Sequence, residues 1–138
     1  MIPALALFWN GAICSVYGYL FLANPGFLLS NYYGTSQEID SVSGSICRYY
    51  GATLLCLAFL FLHYIPFKEK QGPGLRLGMM LSGAYVVVAA YRVVLEKDVA
   101  SAGAIAAANK TMILQGITLV LSYVGFKAAP KAEKKKKK

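Results

Sequence analysis

GSICRYYGATLLCLAFLFLHYI, residues 44–65, is the stretch whose reading decides the fold. It carries one formal charge, Arg48, in 22 residues and is followed at once by Pro66. A helix rises about 1.5 Å per residue, so a run of this length matches the ~30 Å of hydrocarbon that a spanning helix must cross. In lipid every backbone N–H and C=O has to be paired inside its own segment, which leaves helices and closed barrels. A barrel strand needs period-two alternation of apolar and polar residues, and this run has none.

Three further runs of the same kind lie around it, at about Ile2–Ala23, Leu75–Leu95 and Gly103–Phe126. The breaks between them are chemically clear. Asn24-Pro25-Gly26 ends the first, Pro66 the second, and Glu96-Lys97-Asp98 separates the third from the fourth. Gly72-Pro73-Gly74 is read as preceding the third helix, and Pro130 as ending the fourth region. The first run lacks the positive n-region of a signal peptide and is longer than the usual h-region, so it reads as a retained helix. Residues 24–43, with Phe27-Leu28-Leu29 and Tyr32-Tyr33, read as an interfacial segment. Residues 99–108 read as a helical lead-in to the fourth span. The expectation is an all-α bundle of four transmembrane helices in one membrane domain, residues 1–127, followed by a lysine-rich tail, residues 128–138.

Composition agrees. The 138 residues are 57% hydrophobic and 14% charged, with a mean hydropathy of +0.52. A chain this short has too high a surface-to-volume ratio to hide that much apolar surface from water. The net charge of +8 is concentrated at the end, since seven of the 14 Lys and Arg residues lie from Lys127 onward. A tail of lysines without polar or aromatic readers is not a nucleic-acid surface. Three cysteines, Cys14, Cys47 and Cys56, imply no disulfide framework.

Charge also sets an orientation. The side holding the N-terminus, the loop at 66–74 and the C-terminus carries Lys68, Lys70, Arg76, Lys127, Lys131 and Lys134–Lys138, while the other carries Glu38, Asp40, Glu96 and Asp98 with Lys97. The positive-inside rule puts both termini in the cytosol. Lys135 and Lys136 then stand fourth and third from a cytosolic end, similar to the dilysine signal for return to the endoplasmic reticulum. The plain alternative is an unstructured tail that touches anionic headgroups.

Three cations enter the apolar runs: Arg48, Arg92 and Lys110. In the four-span layout they share one leaflet, and intramembrane charges usually face a bundle interior or a water pocket. With Tyr49, Tyr50, Tyr91, Asn109 and Gln115 they form a candidate anion or lipid-headgroup site. The weightier alternatives are snorkelling of the long stems to the interface and pairing with Glu38, Asp40, Glu96 or Asp98. His63 is the only histidine and reads as interfacial. No set of metal ligands or catalytic triad is found, so neither a metal nor another cofactor is expected. Asn109-Lys110-Thr111 matches a glycosylation acceptor but lies at the membrane border, where modification is not expected. Small residues at four-residue spacing, Gly74, Gly78 and Ser82 with Ser43, Cys47 and Gly51, read as helix-packing positions, within the chain more than with a partner protein.

The step Arg48-Tyr49-Tyr50-Gly51-Ala52, with Pro25 closing the first helix and Tyr91-Arg92 late in the third, resembles a group of uncharacterised four-helix small membrane proteins. They are mostly bacterial, with Arg-x-x-Gly opening helix two. The layout with its lysine-rich end is also similar to the small reticulum scaffold proteins of ergosterol synthesis, a resemblance that implies a tether without catalysis. The expected function is a non-catalytic scaffold or accessory component of endoplasmic reticulum membrane machinery connected with lipid. The alternatives are a lipid-binding or lipid-modifying protein using the Arg/Lys cluster, and an accessory subunit of an organellar membrane complex. Expected partners are the bilayer and other membrane proteins.

Overall fold

The computed structural model describes residues 1–26, 41–96 and 102–130. They form four helices: α1 (Ile2–Ala23), α2 (Ser41–His63), α3 (Lys68–Leu95) and α4 (Ala102–Ala128). All four are long and apolar enough to cross a membrane. At about 1.5 Å per residue, the shortest, α1, is about 33 Å long.

The order is up, down, up, down. Gly125 of α4 lies against Ala6 and Leu75, Gly78 of α3 against Asn10 and Ser122, and Gly11 of α1 against Ala58 and Leu62. The start of α1, the end of α2, the start of α3 and the end of α4 therefore share one end of the bundle. The helices pack as two hairpin-like pairs, α1 with α2 and α3 with α4. Helix α1 joins the pairs, because it also packs on α4 and α3.

Small residues set these approaches. A Cβ at Gly51 would lie 2.7 Å from the Gly18 carbonyl oxygen, and one at Gly18 would lie 2.9 Å from that of Gly51. The α1–α2 crossing is thus backbone against backbone. Of the positions that spacing points to, Gly51 packs at this crossing, and Gly74, Gly78 and Ser82 are buried on α3. Around them Leu7, Phe61 and Leu75 are fully buried with Leu54, Ala58 and Cys14.

Helix α3 differs from the expected start at Leu75. It begins at Lys68 and runs through Gly72-Pro73-Gly74. The turn after α2 is tight, with Phe67 N–H donating to the Tyr64 carbonyl and the Gln71 side chain donating to the Ile65 carbonyl at 2.7 Å. That anchors the first turn ahead of the proline. Pro73, in the second turn and exposed, gives up the bond its nitrogen would have made to the Glu69 carbonyl and crowds that carbonyl with its ring. The lead-in before α4 is helical from Ala102, as its alanines suggest.

The polarity of the bundle runs opposite to that of a water-soluble domain. Asn10, Gln71, Ser82, Gln115, Thr118 and Ser122 are buried, while Leu5, Phe8, Met80, Val87 and Ile113 are exposed, Met80 by 74%. Extended apolar surface of this kind marks a protein or membrane contact.

Gly51→Leu is expected to lower stability in detergent by about 1–3 kcal/mol through overpacking. Gly83→Ala and Gly116→Ala, where an added Cβ meets nothing within 4 Å, should be neutral or stabilising by up to about 1 kcal/mol. Thermal unfolding followed by circular dichroism separates them. Equal losses at all three positions would mean that the α1–α2 approach is not close.

Candidate functional site

The polar residues that matter most lie on α1. Trp9 Nε1 donates to Thr118 Oγ1 at 3.0 Å, and Thr118 Oγ1 donates on to the Leu114 carbonyl at 2.9 Å. The next residue, Asn10, is 2% exposed; its Nδ2 donates to the Ala6 carbonyl at 2.8 Å and to Ser122 Oγ at 2.9 Å. Thr118 and Ser122 are one turn apart on α4, so they present both hydroxyls on the same face. On the α3 side, a Cβ at residue 78 would lie 2.7 Å from Asn10 Oδ1. The glycine makes the room that the amide occupies. Among the described residues no buried side-chain polar atom lacks a hydrogen-bond partner.

Beside this junction is a cleft of about 40 Å³, larger than the ~10–15 Å³ that one water requires. Asn10, Ser82, Gln115, Thr118, Thr111 and Tyr85 supply its polar lining, and Cys14, Leu54, Leu81 and Phe21 part of its apolar lining. No residue in the lining carries a formal charge at neutral pH. The cleft draws on all four helices. Tyr85 meets Tyr50 of α2 edge-on, with ring centroids 6.4 Å apart, and Tyr50 meets Phe21 at 5.1 Å. Of these rings, Phe21 and Tyr85 line the cleft, and Tyr50 packs between them. A lining of this make-up can offer hydrogen bonds to a hydroxyl or carbonyl and has no charge to set against an ion.

The residues expected to form an anion site are placed elsewhere. Arg48, Tyr49, Asn109 and Lys110 are exposed, as is Tyr91 at 55%. Arg92 is half-buried, and its Nε donates to Glu96 Oε2 at 3.3 Å, one turn along α3. None of Arg48, Tyr49, Tyr91, Arg92 and Lys110 lines the cleft; Gln115 and Ser82 do. Glu38, Asp40, Asp98, Lys135 and Lys136 lie outside the described residues. His63 stacks on Phe59 at 5.9 Å and sits near Phe67 at 5.1 Å. Among the described residues no group of three or more metal-ligating side chains is present.

Sequence patterning does not point to Trp9, Asn10, Thr118 or Ser122. A signal for Asn10 exists all the same: it is the only carboxamide in the apolar run of Ile2–Ala23. Asn10→Ala is expected to lower stability by about 0.6–1.7 kcal/mol, the range of hydrogen bonds between helices in a bilayer. A cycle with Ser122→Ala, read by unfolding in detergent, should show that the two losses are not additive. Strict additivity would mean that the bond contributes nothing.

No family model, curated protein or solved structure matches this chain, so the cleft's own residues are what define its chemistry.

Proposed function

We propose that this chain is a non-catalytic, four-span membrane protein that serves as an accessory component of lipid-handling machinery in the endoplasmic reticulum. In this reading it holds the head of a neutral lipid in the cleft behind α1. The observation that carries the reading is an uncharged polar cleft inside a bundle whose outer surface is apolar. In hydrocarbon a hydroxyl or carbonyl has no water to bond, so a lined cleft is a favourable place for it. The volume of about 40 Å³ is room for a single hydroxyl or carbonyl group rather than for a whole lipid. The lysine-rich end of the bundle faces the cytosol by the positive-inside rule, and Lys135 and Lys136 act as the retrieval signal.

The neutral character of the lining favours this over a pocket built on Arg48, Arg92 and Lys110. It also favours binding over catalysis, because the lining offers hydrogen-bond donors and acceptors and no base beside a nucleophile.

Affinity purification in mild detergent, with mass spectrometry of co-purifying lipids and proteins, tests it. The expected result is a neutral, hydroxyl- or carbonyl-headed lipid near one per chain, reduced several-fold in a helical Gln115→Leu or Ser82→Val variant. A stoichiometric protein partner with no selected lipid would replace the reading with a tether. Lys135→Ala with Lys136→Ala is expected to release tagged protein from the reticulum. Unchanged residence would remove the retrieval signal from the reading.

A further inference from the structure

At the lysine-rich end of the bundle a second cavity, a groove of about 500 Å³, lies between the start of α3 and the end of α4. Glu69, Gly72, Pro73 and Arg76 line it from α3, and Phe126 and Lys127 from α4. We propose that this groove binds the headgroup of an anionic phospholipid.

Charge is the first argument. Arg76 and Lys127 set two cations against the single carboxylate of Glu69, and all three are exposed. The helix dipoles do not decide the sign, because a positive N-terminus and a negative C-terminus meet here and oppose each other. The side chains decide it. The positions of the cations are the second argument. The Arg76 guanidinium lies 4.9 Å from the centre of the Phe126 ring, and Lys127 Nζ lies 5.5 Å from that of Tyr123. Both are held against aromatic faces, which limits their wandering and leaves their N–H edges for an acceptor. A planar guanidinium suits a phosphate through paired donors.

The surroundings select a lipid over a free anion. Phe126 and Pro73 make part of the wall apolar. Just below on α4, Tyr123 and Val124 are exposed by 52% and 46%, continuing an apolar surface along which an acyl chain can lie. Size agrees as well, since 500 Å³ is within the usual ~300–1,000 Å³ of small-molecule sites. The groove is distinct from the neutral cleft and shares no lining residue with it.

The full chain, purified in detergent and stripped of lipid, is titrated in native mass spectrometry with phosphatidylinositol phosphate, phosphatidylserine and phosphatidylcholine of matched chains. Binding is expected in that order. A double variant, Arg76→Gln with Lys127→Gln, should weaken the two anionic lipids by about ten-fold or more and leave phosphatidylcholine unchanged. Arg48→Gln with Lys110→Gln removes the same charge from exposed positions elsewhere and serves as the control, with circular dichroism confirming helicity. Three results would overturn the proposal: wild-type binding by the first variant, equal loss in both variants, or displacement of the lipid by millimolar inorganic phosphate. None of these bears on the neutral lipid of the cleft, so the two readings stand or fall separately.

Discussion

The Asn10 carboxamide occupies the space that a side chain at residue 78 would need, and the rest of the bundle is arranged around that fit. Two hairpin-like pairs meet only through α1 to any large extent. At the Asn10 level α1 touches Gly78 of α3 and Ser122 of α4, while about two turns further on it crosses Gly51 of α2 at Gly18. Hydrogen bonding and close approach reinforce each other here. The glycine admits the amide, the amide reaches the serine, and the distance between α1 and α4 is set by a bond of 2.9 Å. Trp9 repeats the link one residue earlier through Thr118. In a bilayer, with lipid outside and lipid-like side chains inside, apolar burial would give little net drive for helix association. Contacts of this kind then carry the specificity of the fold.

The same reasoning explains how the polar groups are distributed. A buried neutral amide or hydroxyl is tolerated once it is bonded, whereas a buried unpaired charge is far more costly. The interior accordingly holds Asn10, Ser82, Gln115, Thr118 and Ser122. The described cations are kept toward the helix ends or on exposed faces: Arg92 with Glu96 near the end of α3, Arg76 and Lys127 at the opposite end, Arg48 and Lys110 outward. The two proposed ligands match this sorting, a neutral one where the lining is uncharged and an anionic one where the cations gather.

How much of this is legible in the sequence depends on what each residue's pattern can encode. The four helices are legible because length and hydropathy are one-dimensional properties, and residues 44–65 alone exclude most alternatives. Gly51, Gly74, Gly78 and Ser82 are legible as packing positions because their spacing puts them on shared helix faces. Which face turns inward is not, since a helix that is apolar all round has no polar side to mark the outside. For that reason Arg48, Arg92 and Lys110 can be grouped by depth, while their rotation about the helix axes stays open. The same gap hides Asn10, whose importance lies in Gly78 and Ser122, residues distant in the chain. The start of α3 is placed too late by the sequence because Gly-Pro-Gly resembles a break. Its context is a tight turn closed by Gln71, which lets the helix begin before the proline.

A void left by imperfect packing is a competing account of the cleft, and its lining argues against it. Dry voids in helical proteins are apolar, because polar walls without a guest or water lose hydrogen bonds. Here Asn10, Ser82, Thr111, Gln115, Thr118 and Tyr85 converge on one small space from three helices. Cys14, Leu54, Leu81 and Phe21 border the same space. Among the described residues every buried polar side-chain atom is already bonded within the chain, and a hydroxyl or amide oxygen so engaged still keeps a second lone pair for a guest. Because no charge lines the cleft, a guest held there would be neutral.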